Sequence, residues 1–326
     1  MLPLTHPSRP EDLPAVHPPS WAEGRAIGRG SESVNASAAH HPVRGILYMM
    51  GALALFALLD TISKSLASRH PVAVVVWGRY FAHFLITLVV FLPRHGTALF
   101  KTCRPGLQVV RGMTLLGTTG AIVMAFQSMP LAEVTALVFV APFLVMMLAV
   151  VFLGEKVAPW RWLPVVVGFS GVLLIARPSG SAFNVGVVFV LAGACCYAVY
   201  QILTRKLSAV DRSVTQLFYT ALVGAATMCV LVPWFWVPGA LNLRDWLMIG
   251  SLGVLGASSH LLMIMALRAA PATTLSPFTY AQLVWATLLG WLVFGDFPDS
   301  MSLAGMLIIV ASGVVVAYSE RFNRKA

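Results

Sequence analysis

The sequence predicts an all-α, polytopic membrane protein whose ten transmembrane helices form two inverted five-helix repeats. Three observations lead to this fold class: the composition, ten apolar segments of membrane-spanning length, and an internal match between two halves. Of 326 residues, 58% are hydrophobic and only 10% are charged, with a mean hydropathy of +0.83. Soluble domains carry about 25% charged residues, and a soluble fold could not cover so much apolar surface.

The apolar segments begin at Gly45, and each can cross about 30 Å of hydrocarbon as a helix, or nearly so. Only helices and closed barrels satisfy their backbone in lipid, and these runs are too continuous for barrel strands. The predicted spans are 45–67, 71–92, 105–127, 131–153, 159–176, 184–203, 212–234, 244–267, 271–294 and 301–319.

The two ends of the chain differ from this apolar body. Residues 1–44 hold seven of the 20 prolines with many polar residues, and they lack the apolar core of a signal peptide. We expect a disordered cytoplasmic tail there, and a short basic cytoplasmic tail at 321–326.

The distribution of lysine and arginine predicts the orientation. With an internal N-terminus, twelve basic residues fall on the cytoplasmic side and three, Arg69, Arg177 and Arg244, fall outside. Both termini are therefore predicted to be cytoplasmic, in the inner membrane of the cell. This bias also explains the net charge of +10, so no nucleic-acid partner is expected.

The chain matches itself at an offset of 141 residues. Gly45 aligns with Gly186, Pro130 with Pro271, and a glycine–acid pair closes the fourth and ninth spans at Glu155 and Asp296. The predicted repeats cover 45–178 and 184–320. Because each has five spans, the second must enter the membrane upside down, as in many secondary transporters.

The family resemblance lies in a long pattern and its degraded copy. The first copy is "SMPLAEVTALVFVAPFLVMMLAVVFLGEKVAPWRWLPVVVGFSGVLLIARP", and the second is "AAPATTLSPFTYAQLVWATLLGWLVFGDFPDSMSLAGMLIIVASGVVVAY". Together they resemble the EamA family of the drug/metabolite transporter superfamily. The second copy has Leu283 where the family often has proline. The resemblance implies a central cavity and alternating access without ATP, for substrates such as amino acids, riboflavin, S-adenosylmethionine or opine metallophores.

Motifs for other activities are missing from the sequence. There is no G-x-x-x-x-G-K-[ST] for ATP, and no H-E-x-x-H or G-x-S-x-G for hydrolysis. The four cysteines form no C-x-x-C pair, and we read them as packing residues. No catalytic residue, metal site or cofactor is predicted.

Charged residues in the outer half of the first hairpin are the main candidates for a site. Asp60 and Arg79 lie at equal depth on the first and second spans, so they are expected to face each other. Lys64, one turn further out, is expected to pair with Asp60 or to extend outward. A charge inside a bilayer costs about 2.5–3.5 kcal/mol. Both a structural ion cluster and a substrate or proton site remain open.

Further candidates for substrate binding or coupling lie midway along later spans. His260 could titrate near neutral pH, although a hydrogen-bonded packing role is the alternative. Phe139 and Tyr280 are repeat partners that could face each other across the cavity or pack the core. Gln282 and Trp285 complete the set of polar and aromatic groups that a small-molecule site requires.

The predicted function is secondary transport of a small polar or zwitterionic metabolite across the inner membrane. Export of an amino-acid-like compound or an opine-type metallophore is preferred. The alternative within the class is import of riboflavin, S-adenosylmethionine or a similar metabolite, and outside it a polytopic membrane enzyme or sensor. The predicted partners are a small-molecule substrate and the lipid bilayer, and a homodimer is left open.

Overall fold

The computed structural model describes residues 42–153, 162–177, 184–208, 210–237, 241–270 and 272–323, and all regular structure in these ranges is helical. Residues 1–41 of the predicted disordered tail and the predicted start of the fifth span lie outside the described residues, whereas residues 42–44, predicted as part of that tail, belong to the first helix. The α-helices are α1 (Pro42–Ala67), α2 (Val72–His95), α3 (Pro105–Phe126), α4 (Leu131–Val138), α5 (Ala141–Leu153), α6 (Trp162–Ala176), α7 (Gly186–Ser208), α8 (Ser213–Leu231), α9 (Leu243–Ala269), α10 (Ala272–Leu275), α11 (Ala281–Phe294) and α12 (Ser300–Asn323).

The membrane spans follow the predicted segments closely. Within the described ranges, eight helical stretches are long and apolar enough to cross a membrane, and two shorter apolar helices, α6 and the part of α12 at Ser300–Val315, accompany them. The protein is therefore an all-α, multi-pass membrane protein. The prediction placed the end of the last span at 319, whereas α12 continues to Asn323.

The fourth and ninth spans are each broken near the middle, which the prediction of unbroken spans missed. α4 ends at Val138 and α5 begins at Ala141, whereas a 3₁₀ turn at Ser276–Tyr280 separates α10 from α11. Proline restricts the residue before it and cannot continue a hydrogen-bonded turn, so Pro142 and Pro277 account for the breaks. The second break therefore does not need a proline at Leu283. Breaks at repeat-related positions are typical of transporter binding sites.

Helix packing obeys the two-fold relation between the halves. α1 packs along α9, and the repeat counterparts of these helices, α7 and α3, pack along each other. α2 contacts its own counterpart α8, and α6 contacts its own counterpart α12. An inverted repeat with one pseudo-two-fold axis generates this set of contacts, because each pair maps onto another pair or onto itself.

Two repeat-related glycines permit the close approach of helices in this arrangement. A Cβ atom at Gly112 of α3 would lie 2.7 Å from the Cβ atom of Val223 in α8. A Cβ atom at Gly253 of α9 would lie 2.5 Å from the Cβ atom of Ala82 in α2. Small residues are common at helix interfaces in membranes because they bring two backbones together. The contact at Gly253 brings α9 close to α2 beside His83.

Candidate functional site

The predicted charge pair is present between α1 and α2. Nη1 of Arg79 lies 3.8 Å from Oδ1 of Asp60, which confirms that the two residues face each other. The side chains are 24% and 21% exposed, so neither is fully enclosed by protein. At 3.8 Å the two atoms are beyond hydrogen-bond distance. Each group can therefore bind another partner without first breaking a hydrogen bond between them.

Three aromatic rings from three helices lie one turn further along the same faces. Phe56 precedes Asp60 by four residues on α1, and His83 follows Arg79 by four residues on α2. His260 of α9 contacts both rings: its centroid is 5.1 Å from that of Phe56, edge to face, and 6.0 Å from that of His83, nearly parallel. The sequence analysis missed His83, although its i+4 spacing from Arg79 could have identified it.

Two buried nitrogen atoms in this region have no hydrogen-bond partner among the described residues. They are Nε2 of His83 and Nε1 of Trp285. Trp285 packs against the apolar cluster that contains Leu53 of α1 and Ala266 of α9, so it lies near these two helices. More than nine in ten buried polar groups in proteins are paired, so each unpaired group requires an explanation.

Lys64 pairs with Asp296 and not with Asp60, so the first of its two predicted alternatives is wrong, whereas its direction toward the α11–α12 loop agrees with the second. Its Nζ atom donates to Oδ2 of Asp296 at 2.8 Å and to the carbonyl oxygen of Met129 at 3.0 Å. The ammonium group also lies 4.7 Å from the ring centroid of Phe294. The long side chain reaches the α11–α12 loop, where the carboxylate of Asp296 and the carbonyl of Met129 offset the cost of burying its charge.

The same end of the bundle, called here the Lys64 end, carries two more ion pairs. Asp245, in the first turn of α9, pairs with Arg69 at 2.9 Å and with His70 at 3.1 Å. Arg177 pairs with Asp299, and this hydrogen bond lowers the pKa of Asp299 to about 2. Asp299 is therefore ionised at any physiological pH. These contacts connect the α1–α2 loop to α9, and the end of α6 to the start of α12.

The opposite end, called here the Asp211 end, is closed by a different set of hydrogen bonds. Asp211, in the α7–α8 loop, accepts from the backbone N–H of Cys103 at 2.9 Å, from the hydroxyl of Thr102, and from Nε2 of Gln108 at 2.8 Å. Burial raises the pKa of Asp211, but these hydrogen bonds outweigh it and lower the pKa. The α7–α8 loop is thereby held to the start of α3.

Arg111 extends this network into the bundle, although the sequence analysis did not include it as a site residue. It is only 3% exposed and donates to Thr204 Oγ1 at 2.8 Å and to the carbonyl oxygen of Gln216 at 2.9 Å. It also donates to Oε1 of Gln108, which in turn holds Asp211. The guanidinium therefore connects α3 to α7 and α8. Its five N–H donors in a fixed planar geometry allow it to bind several acceptors at once.

The two ends are related by the repeat. His70 and Asp211 occupy equivalent positions 141 residues apart, in the α1–α2 and α7–α8 loops. Their partners lie near the starts of α9 and α3, which are also repeat counterparts. At the Lys64 end the hairpin loop carries Arg69, the basic partner of Asp245, and at the Asp211 end it carries the acidic group. Equivalent loops of the two halves therefore make polar contacts at both ends of the bundle.

The remaining predicted site residues lie at the helix breaks. Phe139 and Tyr280 contact each other with ring centroids 4.8 Å apart, and their role at a substrate cavity stays a prediction. A Cβ atom at Gly313 of α12 would lie 1.4 Å from the hydroxyl oxygen of Tyr280, so glycine there leaves room for the phenol. Gln282 is the second residue of α11 and is half-buried, three residues before Trp285.

This architecture defines a class of protein. Two inverted five-helix halves, broken helices at repeat-related positions and a charge pair between the first two spans are the features of a secondary transporter. The model of the EamA-like transporter family matches residues 43–177 and 184–318. The chain belongs to that family, and so to the drug/metabolite transporters.

Named relatives of the chain are transporters of small molecules. An S-adenosylmethionine uptake transporter of Rickettsia conorii is 29% identical over 86% of this chain and 95% of its own length. A riboflavin transporter of Vibrio cholerae is 28% identical over 88% of this chain and 96% of its own length. A pseudopaline exporter of Pseudomonas aeruginosa is 27% identical, with coverages of 85% and 97%.

A solved structure shares the fold. It aligns with a TM-score of 0.59 at 20% identity, covering 84% of this chain and 96% of its own. With the family match and the named relatives, the protein is a membrane transporter of small molecules.

Proposed function

We propose that this protein is a secondary transporter of a zwitterionic metabolite that carries an ammonium group and a carboxylate. The observation that carries the proposal is the loose pair of Asp60 and Arg79. The carboxylate of Asp60 can pair with the ammonium group of the substrate. The guanidinium of Arg79 can form bidentate hydrogen bonds with the substrate carboxylate. A zwitterion thus replaces one ion pair by two, and no charge is left unpaired.

S-Adenosylmethionine is the first substrate to test. It carries both groups of an α-amino acid, and uptake of this compound is the named activity of the Rickettsia relatives. Riboflavin has no such head group, which makes it a weaker match to the charge pair. An opine-type metallophore, exported rather than imported, is the second candidate because of the pseudopaline relative and because such compounds also contain amines and carboxylates.

In the proposed mechanism of alternating access, the contacts at the two ends of the bundle break in turn. The Lys64 end opens when Lys64 separates from Asp296 and the α1–α2 loop leaves Asp245, while the contacts of Asp211 keep the opposite end closed. The reverse state follows from the repeat by opening the Asp211 end. The energy comes from gradients, and a membrane potential supplies about 2.3 kcal/mol per charge per 100 mV.

The orientation belongs to the same proposal: both termini face the cytoplasm of a cell whose inner membrane holds the protein. The support is the distribution of twelve basic residues against three in the sequence. The Lys64 end then faces outward. Reporter tags fused to each terminus should give cytoplasmic signals, and a tag in the loop at Asp296–Asp299 should be labelled from outside the cell. A C-terminal tag labelled from outside would contradict the orientation.

Transport by the purified protein tests the function directly. Liposomes that contain the protein and unlabelled S-adenosylmethionine should accumulate the labelled compound from outside by exchange, without ATP. Exchange needs only binding and alternating access, so it does not depend on which ion drives net transport. Liposomes without protein are the control, and exchange of a labelled opine metallophore is measured in parallel. Exchange of the metallophore without exchange of S-adenosylmethionine would favour the second candidate, and exchange of neither compound would contradict the proposal.

A further inference from the structure

The aromatic rings of Phe56, His83 and His260 lie one helical turn from the charge pair. Phe56 and Asp60 share one face of α1, and His83 and Arg79 share one face of α2, because residues four apart lie one above the other on a helix. The two Cα atoms of each such pair therefore lie about 6 Å apart along the helix axis. His260 of α9 closes the group through its contacts with Phe56 and His83.

His83 has a hydrogen-bonding capacity that the described residues do not use. Its Nε2 atom is buried and has no partner among them. The ring is held instead by packing: it faces His260, and its helix is pressed against Gly253 of α9. An imidazole nitrogen can donate or accept a hydrogen bond, and leaving one buried and unpaired is unfavourable. A bound ligand that supplies the partner would remove this penalty.

We propose that Phe56, His83 and His260 form a subsite for a flat heteroaromatic ring, with Nε2 of His83 hydrogen-bonded to the polar edge of that ring. The inference rests on the proposed function, because Asp60 and Arg79 hold the head group of the same substrate. It narrows the substrate class to amino-acid-like compounds that carry a nitrogen heterocycle. Phe56 and His260 supply the faces and edges on which such a ring packs.

Four probes separate the ring from the head group. S-Adenosylmethionine and S-adenosylhomocysteine have both parts, methionine has only the head group, and adenosine has only the ring. Binding of each is measured on the purified full-length protein in nanodiscs by competition with labelled S-adenosylhomocysteine and by ligand-induced thermal shift. The variants are His83→Phe, which keeps a flat ring without nitrogen, and His83→Gln, which restores a polar group of similar reach.

We expect His83→Phe to lower the affinity for S-adenosylhomocysteine and for adenosine by about tenfold to a hundredfold, because the polar edge of the bound ring loses its hydrogen-bond partner. The affinity of His83→Phe for methionine should equal that of the wild-type protein. His83→Gln should recover part of the loss. His95→Phe is the matched control: it changes a histidine at the far end of the same helix, α2, and should leave all four affinities unchanged.

Two results would overturn the subsite. One is that both His83 variants lose affinity for methionine and for S-adenosylhomocysteine by the same factor. The other is that the wild-type protein binds no ring-bearing probe, or that His83→Phe binds these probes as tightly as the wild-type protein does. The proposed function fails in a different way. If adenosine binding depends on His83 but methionine does not bind, and Asp60→Asn changes no affinity, then the head-group site is wrong while the ring subsite stands.

Discussion

Replacing Asp60 by asparagine or Arg79 by glutamine should abolish transport while leaving the protein folded. Each change removes one of the two charges that we assign to the substrate head group. Losing a charged hydrogen bond to the substrate costs about 1.5–3 kcal/mol, or roughly tenfold to a hundredfold in affinity. The remaining charge also stays unpaired in the site, which adds to the loss. Exchange of S-adenosylmethionine in liposomes measures the effect.

The geometry of the pair separates this role from a structural one. Breaking a tightly buried ion pair costs about 3–5 kcal/mol of stability. Here the atoms are 3.8 Å apart and each side chain is more than a fifth exposed, so the cost to folding should be smaller. Size-exclusion profiles and unfolding temperatures of the single variants should therefore stay close to those of the wild-type protein.

The double variant Asp60→Asn/Arg79→Gln decides between the roles. It removes both charges, so folding should be at least as good as in either single variant, but transport should remain absent. Full recovery of transport would mean that the pair only ties α1 to α2. A matched control is Arg177→Gln/Asp299→Asn, which removes an exposed ion pair at the Lys64 end. Exposed pairs contribute little to stability, so this control should fold and transport.

Much of the fold could be predicted from the sequence because the bilayer allows few solutions. Membrane-spanning length, the offset of 141 and the positive-inside bias led to ten spans in two inverted halves before any contact was known. The helix breaks were missed because the spans at 131–153 and 271–294 are both of membrane-spanning length and contain only one charged residue, Glu133. The residues that cause them, Pro142 and Pro277, were visible but had no effect on a prediction based on hydropathy.

The site was predictable only where depth along one hairpin decides a contact. Asp60 and Arg79 are equally far from the α1–α2 turn, so their proximity follows from helix geometry alone. Lys64 shows the limit of that argument, since its partner Asp296 is 232 residues away and belongs to the other half. His83 and His260 meet for a similar reason, because α2 and α9 are brought together by packing at Gly253.

Cross-linking the Asp211 end should stop transport completely and reversibly. Oδ1 of Asp211 accepts from the backbone of Cys103 at 2.9 Å, and the thiol of Cys103 lies 3.9 Å from the carbonyl oxygen of Val210. Asp211→Cys therefore places a second thiol close to a native one, and we expect the two to form a disulfide. Under an oxidant this bond would join the α7–α8 loop to the start of α3, and these must separate if the Asp211 end is a gate.

Oxidised Asp211→Cys should show background exchange of S-adenosylmethionine, and a reductant should restore it to the level of Asp211→Ser. The serine variant also lacks the carboxylate but cannot cross-link, so it separates the loss of hydrogen bonds from the covalent lock. Wild-type protein, with Cys103 alone at this end, controls for oxidation elsewhere. A complete cross-link, verified by mass spectrometry, together with undiminished exchange would mean that this end does not open. Transport would then occur without separation of the α7–α8 loop from α3. The repeat-related contacts of the α1–α2 loop with Asp245 would lose support as a gate for the same reason.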